Sequence, residues 1–380
     1  MMFTRKKILV FSDWYLPGYR AGGPIRSLAN MVNSLDHDFY IITRNTDHHS
    51  TKAYDNIIPN EWIQVSSNVR VIYFEEKNLT TENFRNILFE NTFDRIYLNS
   101  LFSPRFTLLP LRVLKKLRLT GICVLAPRGM LKPGALSIKA NKKKIFLLIA
   151  KLTGLFSGIR WHATNQEEAQ EIVQHFGKRC EIKIAPNMTT GAQEYSPILE
   201  KKTHDLKLIS VARISPEKGI LEAIQYLKDA KLGHGISCTF YGTQQNPEYL
   251  EQCKKLAQQI EGANISFPGE ISHSEISKAM KSHHIFYMTT WGENFGHAIA
   301  EALLSAVPVL ISNRTPWKNL QQSKAGWDLP LESSEFVKIL RICYDMGKDE
   351  HLKLSETAYA YGIQKAVDPE SIAACYSIFE

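Results

Sequence analysis

Short apolar runs recur along the chain, each ending at a polar or glycine-containing loop that leads into apolar positions at helical spacing. The first, Lys7–Ser12, stops at Asp13; beyond the loop Trp14–Gly23, residues Ile25, Leu28, Ala29, Val32 and Leu35 fall on one side of a helix over Pro24–Leu35. Further runs at Phe39–Thr43, Val69–Phe74, Arg95–Asn99, Ile122–Ala126, Trp161–Thr164 and Ile182–Pro186 predict strands in the first half. Leu206–Val211, Ser237–Gly242, Ile265–Gly269, Ile285–Met288 and Val309–Ile311 predict strands in the second. Helices are expected over Leu136–Phe156, from Gly219 to about Lys231, from Pro247 to Ile260, after a Ser272-x-x-Glu275 capping box, from Glu332 onward, and from Asp368-Pro369 to the end. This alternation predicts an α/β protein with parallel sheets rather than a sandwich.

At 380 residues the chain suits two domains better than one core. The polar stretch Gly191–Lys202, with Ser196-Pro197, has linker composition, so domains are expected over 1–195 and 196–368 with a final helix at about 369–380. A hydrophobic share of 44% with 22% charged residues fits a globular protein and excludes a disordered one. The longest apolar stretch, Ile145–Ile159, is broken by Lys151, Thr153 and Gly154 and is no membrane span. The basic N-terminus runs into Asp13 without a small-residue cleavage site, so it reads as the first strand. Cysteines at 123, 180, 238, 253, 343 and 375 show no zinc spacing and are expected as reduced thiols in a cytoplasmic protein.

The net charge of +8 sits in the first half. Met1–Tyr195 has 27 basic and 16 acidic residues, whereas Ser196–Glu380 has 19 and 22. Within Arg95–Gln166 there are 14 Lys or Arg and no Asp or Glu. A nucleic-acid surface would interleave stacking aromatics more densely than Phe102, Phe106, Phe146, Phe156 and Trp161 do, and an ordinary solvated face carries both signs. Arg105–Leu119 and Lys139–Leu155 pair Lys and Arg with Leu, Ile and Phe, which suits an anionic membrane surface and no nucleic acid.

The candidate chemistry gathers in Ile285–Trp317, read as strand, loop, helix and strand. Glu293 lies in the loop and Glu301 about a turn inside the helix; Asn294, Phe295, Gly296 and His297 lead into that helix, whose positive end favours a phosphate. Two carboxylates flanking a phosphate site match the hydroxyls on either side of the diphosphate in a nucleotide-sugar. Arg213 and Lys218, in the loop after Leu206–Val211, can hold a diphosphate, Arg as a fork and Lys as a point charge. Gly22-Gly23, just before the first helix, allow close approach of a ligand to backbone. Asp36-His37-Asp38 has metal-motif spacing but sits away from the expected carboxyl edge, and the pairs His48-His49 and His283-His284 have no helical partner; no metal is assigned.

The string from Glu293 to Glu301, followed by Pro308 and Thr315-Pro316-Trp317, resembles the E-x7-E signature of family 4 glycosyltransferases, and Gly22-Gly23 is similar to the double glycine of their first loop. The resemblance implies the GT-B fold, two Rossmann-like parallel-sheet domains facing across a cleft, with the C-terminal helix returning to the first. It implies a retaining glycosyltransferase that moves a hexose or N-acetylhexosamine from a UDP- or GDP-sugar without metal or other cofactor; together with the basic stretch, it sets the expectation of a lipid-linked saccharide acceptor in surface-polysaccharide synthesis on the inner face of the cytoplasmic membrane. Arg213 and Lys218 would neutralise the diphosphate, Glu301 bind the ribose, Glu293 the sugar, and Glu270-Ile271 lie beside the base. Arg128, following the run at Ile122, stands near where many relatives carry an acceptor-side histidine. Ala306 and Asn187-Met188 also depart from the family pattern. A polyanion or nucleic-acid binding protein, or a GT-B epimerase or phosphorylase, are the alternatives.

Overall fold

A computed structural model describes residues 4–137, 140–189, 194–196, 199–244, 246–366 and 368–380. The chain parts into two units, Met1–Met188 with Pro369–Glu380, and Thr189–Asp368. Of the expected linker, Gly191, Ala192, Gln193, Pro197 and Ile198 lie outside the described residues.

The first unit contains strands β1 (Lys7–Phe11), β2 (Asp38–Arg44), β3 (Trp62–Ser66), β4 (Val69–Phe74), β5 (Arg95–Leu98), β6 (Cys123–Leu125), β7 (Arg160–Ala163) and β8 (Glu181–Ile184). Its helices are α1 (Gly23–Ser34), α2 (Thr81–Glu90), α3 (Leu109–Lys116), α4 (Pro133–Ser137), α5 (Ala140–Leu152) and α6 (Gln166–Phe176). The sheet order is β3-β4-β2-β1-β5-β6-β7-β8. All neighbours run parallel except β3, which turns back on β4. β1 shows why its run is continuously apolar. Leu9 and Phe11 join one core with Phe84, Leu111, Leu147 and Ile172, while Ile8 and Val10 join another with Leu28 and Val32. A strand covered on both faces needs apolar residues at every position.

The second unit contains β9 (Leu206–Val211), β10 (Ile236–Tyr241), β11 (Ala263–Gly269), β12 (Ile285–Met288), β13 (Val309–Ser312) and β14 (Gly326–Leu329). Between and after them run α7 (Ile220–Ala230), α8 (Pro247–Ala257), α9 (His273–Lys281), α10 (His297–Leu304), α11 (Ser333–Asp345) and α12 (Lys348–Ala366). The sheet is parallel, in the order β11-β10-β9-β12-β13-β14. Its faces are covered separately. Ile285 and Tyr287 pack with Ile224 and Phe336, and Phe286 and Met288 pack with Ile299, Leu303 and Tyr361. The last helix, α13 (Pro369–Ser377), belongs to the first unit: Phe379 is fully buried against His37, Phe39 and Tyr97, and its carbonyl accepts from the Lys6 ammonium at 2.7 Å.

Several local expectations change. β3 and β14 were not foreseen, since β3 is half exposed at the sheet edge and β14 begins with glycine. Of Leu136–Phe156, Leu136 and Ser137 close α4, Ile138 and Lys139 lie outside the described residues, and α5 ends at Leu152, four residues short of the expected helix end. The Ser272-x-x-Glu275 capping box does not form: the Ser272 hydroxyl donates to the Glu275 carboxylate at 2.5 Å instead of accepting from the helix backbone. Within the expected linker, Lys201 is buried, donating to the carbonyls of Lys202, Tyr344 and Met346 at 2.8, 3.3 and 3.1 Å. Its ammonium sits over the C-terminal end of α11, where backbone carbonyls lack helical partners.

Candidate active site

In each sheet the chain builds outward from the first strand in one direction and then crosses to its other side. The crossing lies between β1 and β5 in the first unit and between β9 and β12 in the second. Loops leaving adjacent strands diverge there and open a crevice at the carboxyl edge, the usual ligand position in open α/β sheets.

In the second unit the loops after β9 and β12 carry Arg213, Lys218 and Glu293. Phe286 is in register with Ile209, which fixes the two loop origins side by side. The Thr289 hydroxyl donates to the Gly219 carbonyl at 2.5 Å, and the Glu217 carbonyl accepts from the Thr290 hydroxyl at 3.1 Å and the Trp291 N–H at 3.0 Å. Gly219 has φ +67, and a Cβ there would lie 2.0 Å from the Thr289 carbonyl oxygen, so only glycine allows this approach. The result is a direct ion pair between the Lys218 ammonium and the Glu293 carboxylate, both only 14% exposed. Low exposure strengthens such a pair over a surface one.

Arg213 stands at the rim, half exposed, with Glu217 at 3.0 Å. Glu301, on the second turn of α10, faces His273 at the start of α9, with 3.7 Å between Oε1 and Nδ1. Between them the Phe295 carbonyl accepts from the Trp317 indole at 2.6 Å, while its ring packs between His297 and Trp317. Gly296 caps α10 at φ +80, with the Ile299 N–H donating to its carbonyl. Asn294 and His297 flank that turn. Glu270 and Ile271 follow β11, two strands from β9, where Gly269 has φ +94 and its carbonyl accepts from the Gly242 N–H. Arg213, Lys218, Glu293 to His297 and Glu301 thus gather around the β9–β12 crossing, and Glu270-Ile271 lie farther along the same edge.

Gly22, Gly23 and Arg128 belong to the carboxyl edge of the first unit. Gly22 caps α1 at φ +70, and the Asp47 carboxylate accepts from the backbone of Tyr19 and Arg20 just before it. Arg128, at φ +56, turns its guanidinium onto Asn99, Asn187 and the Tyr97 hydroxyl, binding the ends of β5, β6 and β8 together. Tyr97 hydrogen-bonds His162 Nδ1 at 2.7 Å, and His162 Nε2 meets the Ala185 carbonyl at 2.8 Å. Burial, with Arg128 nearby, pushes the imidazole down to about 3, so it stays neutral. Beneath lies Glu168, fully buried, accepting from the Gly129 N–H and from the Thr164 N–H and hydroxyl at 2.5, 2.7 and 2.7 Å.

Thr289, Thr290 and Gly242 in the second unit, and Asn99, Tyr97, His162 and Glu168 in the first, were not singled out from the sequence. The available signal was position, since Asn99 and the Thr289-Thr290 pair directly follow strands. Asp36 and Asp38 flank the Arg5 guanidinium at the start of β2, the edge opposite the crevice. Among the described residues no cluster of His, Cys, Asp and Glu is arranged to hold a metal ion.

The family profile described as glycosyl transferases group 1 matches residues 192–322, the segment that carries Arg213, Lys218, Glu293 and Glu301. The second unit carries a glycosyltransferase domain. A GDP-Man:Man(3)GlcNAc(2)-PP-Dol alpha-1,2-mannosyltransferase from Caenorhabditis elegans is 29% identical over 147 residues, 35% of this chain and 29% of that protein. A probable sucrose-phosphate synthase from Thermosipho melanesiensis is 28% identical over 191 residues, 48% of this chain and 43% of that protein. The chain therefore spans less than half the length of the curated relatives it matches. Among solved structures, sucrose-phosphate synthase from Thermosynechococcus elongatus superposes with a TM-score of 0.68 at 18% identity, covering 97% of this chain and 96% of that one. HepE from Anabaena, in complex with UDP and glucose, gives 0.65 at 16% identity over 97% of both chains. The fold is GT-B, with an α/β unit built on a mostly parallel sheet in each half.

Proposed function

We propose that this glycosyltransferase moves a hexose or N-acetylhexosamine, with retention, from a UDP- or GDP-sugar to a lipid-linked saccharide in surface-polysaccharide synthesis at the inner face of the cytoplasmic membrane. The observation that carries the donor assignment is the Lys218–Glu293 pair at the β9–β12 crossing, with Arg213 beside it and Glu301 on the helix that follows. A diphosphate entering there meets the positive end of α10 and two cations. Its charge competes with Glu293 for the Lys218 ammonium and frees that carboxylate to accept from sugar hydroxyls, while Glu301 accepts from the ribose. Arg213 and Lys218 then stabilise the negative charge that grows on the leaving diphosphate as the glycosidic bond breaks, the role a metal fills elsewhere. UDP in the HepE complex and the dolichol-diphosphate-linked oligosaccharide named in the mannosyltransferase support the donor and acceptor classes.

The test is release of UDP or GDP from a panel of nucleotide-sugars, with and without lipid-linked acceptor, in the presence of EDTA. Arg213→Ala and Lys218→Ala should each lower turnover by about 10- to 150-fold, the worth of one charge-assisted contact of roughly 1.5–3 kcal/mol, with the fold intact. Folded variants turning over at the wild-type rate would remove the assignment, and activity that EDTA abolishes and manganese restores would make the reaction metal-dependent.

A further inference from the structure

α5 is apolar on both of its faces, and only one of them is covered. Leu147 and Ala150 are buried in the core of the first unit. Ile145, Leu148, Ile149 and Leu152 are 59, 58, 54 and 77% exposed. At about 100° per residue these four positions fill one stripe roughly 100° wide, opposite the buried face. One exposed leucine is ordinary, but four large aliphatic side chains on one stripe form a contiguous patch that water does not favour.

The charges around the stripe are ordered. By the same rotation Lys142 borders it on one side and Lys144 and Lys151 on the other, all three exposed. Lys143 points inward instead, donating to the Ala135 carbonyl at 2.6 Å with its ammonium over the Phe102 ring. Lys115 of α3 donates to the Gly154 carbonyl at 2.8 Å just past α5, and Arg112, Lys116 and Arg118 nearby are exposed. No acidic residue lies between Arg95 and Gln166 in the sequence; in the fold Arg105 and Arg160 of that segment pair with Glu76 and Glu181.

We propose that α5 docks the protein on an anionic bilayer, with Ile145, Leu148, Ile149 and Leu152 entering the acyl boundary and Lys142, Lys144 and Lys151 at the level of the lipid phosphates. This deepens the membrane reading above by assigning it to one face of one helix. Charge complementarity selects the occupant: a protein partner for the stripe would have no need of lysines on both margins, whereas lipid phosphates surround an inserted helix on every side. At 13 residues α5 is about 20 Å long, too short for the ~30 Å hydrocarbon core, so it lies in the interface. Among the described residues no helix is long and apolar enough to cross a membrane.

The experiment is sedimentation of the full chain with vesicles of phosphatidylcholine alone and of phosphatidylcholine mixed with phosphatidylglycerol. Wild type should bind the mixed vesicles only and be released at high salt. Lys142→Gln with Lys144→Gln and Lys151→Gln should weaken binding by about 100-fold, and Leu148→Ser with Leu152→Ser by about tenfold or more. In an Ile149→Trp variant, emission should shift to shorter wavelength on binding. Equal binding to both vesicle types, binding unchanged in the two multiple variants, or an unshifted emission would overturn the docking. A wild-type dimer that Leu148→Ser with Leu152→Ser converts to monomer would also overturn it, in favour of a second copy. Nucleotide release with a water-soluble acceptor, measured without vesicles, keeps the two proposals apart. Turnover without vesicle binding refutes the docking alone, and vesicle binding without turnover refutes the activity alone.

Discussion

Acid should destabilise the second unit through a histidine held neutral by its surroundings. His284 is fully buried; its Nδ1 accepts from the Lys207 N–H at 3.0 Å, and its ring lies edge-on to His351. A proton on Nδ1 would break the bond from Lys207 and place a charge beside His351 and Lys201. Burial first, then His351 and Lys201, push this imidazole down to about 3 from its ordinary 6.5. Because the folded value is the lower one, the unfolded chain takes up the proton first. The contribution to stability is therefore complete above pH 6.5 and is lost progressively as pH falls toward 3. The loss runs at about 1.4 kcal/mol per pH unit, or about 2 kcal/mol between pH 7 and pH 5. His351, also lowered by burial, acts in the same direction. In the first unit His162 behaves alike, but Glu171 opposes it: burial raises that carboxyl to about 7, so folding there gains a proton as the pH falls.

The clean perturbation is His284→Asn, whose side-chain oxygen can replace Nδ1 as the acceptor for Lys207 without titrating. Urea unfolding of wild type and variant at pH 7 and pH 5 should show the variant less stable at pH 7 and less sensitive to acid by about 2 kcal/mol over that interval. An identical fall in both proteins would mean that His284 takes up no proton on unfolding, and the argument from its buried acceptor bond would fail.

Two further outcomes follow from single contacts. Gly219→Ala places a Cβ against the Thr289 carbonyl and a left-handed backbone on alanine, at about 1–2 kcal/mol for the conformation alone; nucleotide release should fall at least about tenfold as Lys218 moves from Glu293. Gly134→Ala, with open space around its position, serves as the control, and equal activities for both variants would refute the close approach. Lys201→Met removes the ammonium from the carbonyls of Lys202, Tyr344 and Met346, and urea unfolding should show a loss of about 2–3 kcal/mol with turnover per folded molecule unchanged. Wild-type stability would show the end of α11 to need no charge.

Strands β1 and β12 were legible because a strand buried on both faces is apolar throughout, as Ile8-Leu9-Val10 and Ile285–Met288 are. β3 escaped for the opposite reason, since an exposed edge strand needs no such run. Lys218 and Glu293 could be named separately from loop position and charge, but they are 75 residues apart in sequence and their contact depends on β12 lying beside β9. The Arg128 network was harder still, because Asn99, Tyr97 and Asn187 become partners only when the ends of separate strands are placed side by side. For α5, periodicity found the apolar residues and could not tell the covered face from the open one.

Glycine is where sequence and site meet most directly. α2, α6 and α8 begin with Thr80, Asn165 and Asn246, whose side chains accept from the first helical turn. α1, α7 and α10 begin at Gly22, Gly219 and Gly296, each at positive φ and with no capping side chain of its own, although on α7 the Tyr249 hydroxyl accepts from the Leu221 N–H at 3.1 Å. These three helices follow β1, β9 and β12, three of the four strands at the two crossings; the helical turn after the fourth, β5, is capped by the Ser103 side chain. A threonine or asparagine cap stabilises a helix by about 1 kcal/mol, and glycine supplies only part of that. Glycine at these ends gives up local stability, and in α1 and α10 it also puts no capping side chain in competition with an anion for the positive end of the helix. For α7 the close contact with Thr289 adds a steric reason, and for α10 the loop from Glu293 to His297 supplies a functional one. The glycines therefore mark the helix ends facing the crevices before any ligand is considered, which is why Gly22, Gly219 and Gly296 were legible in the chain while the side chains they bring together were not.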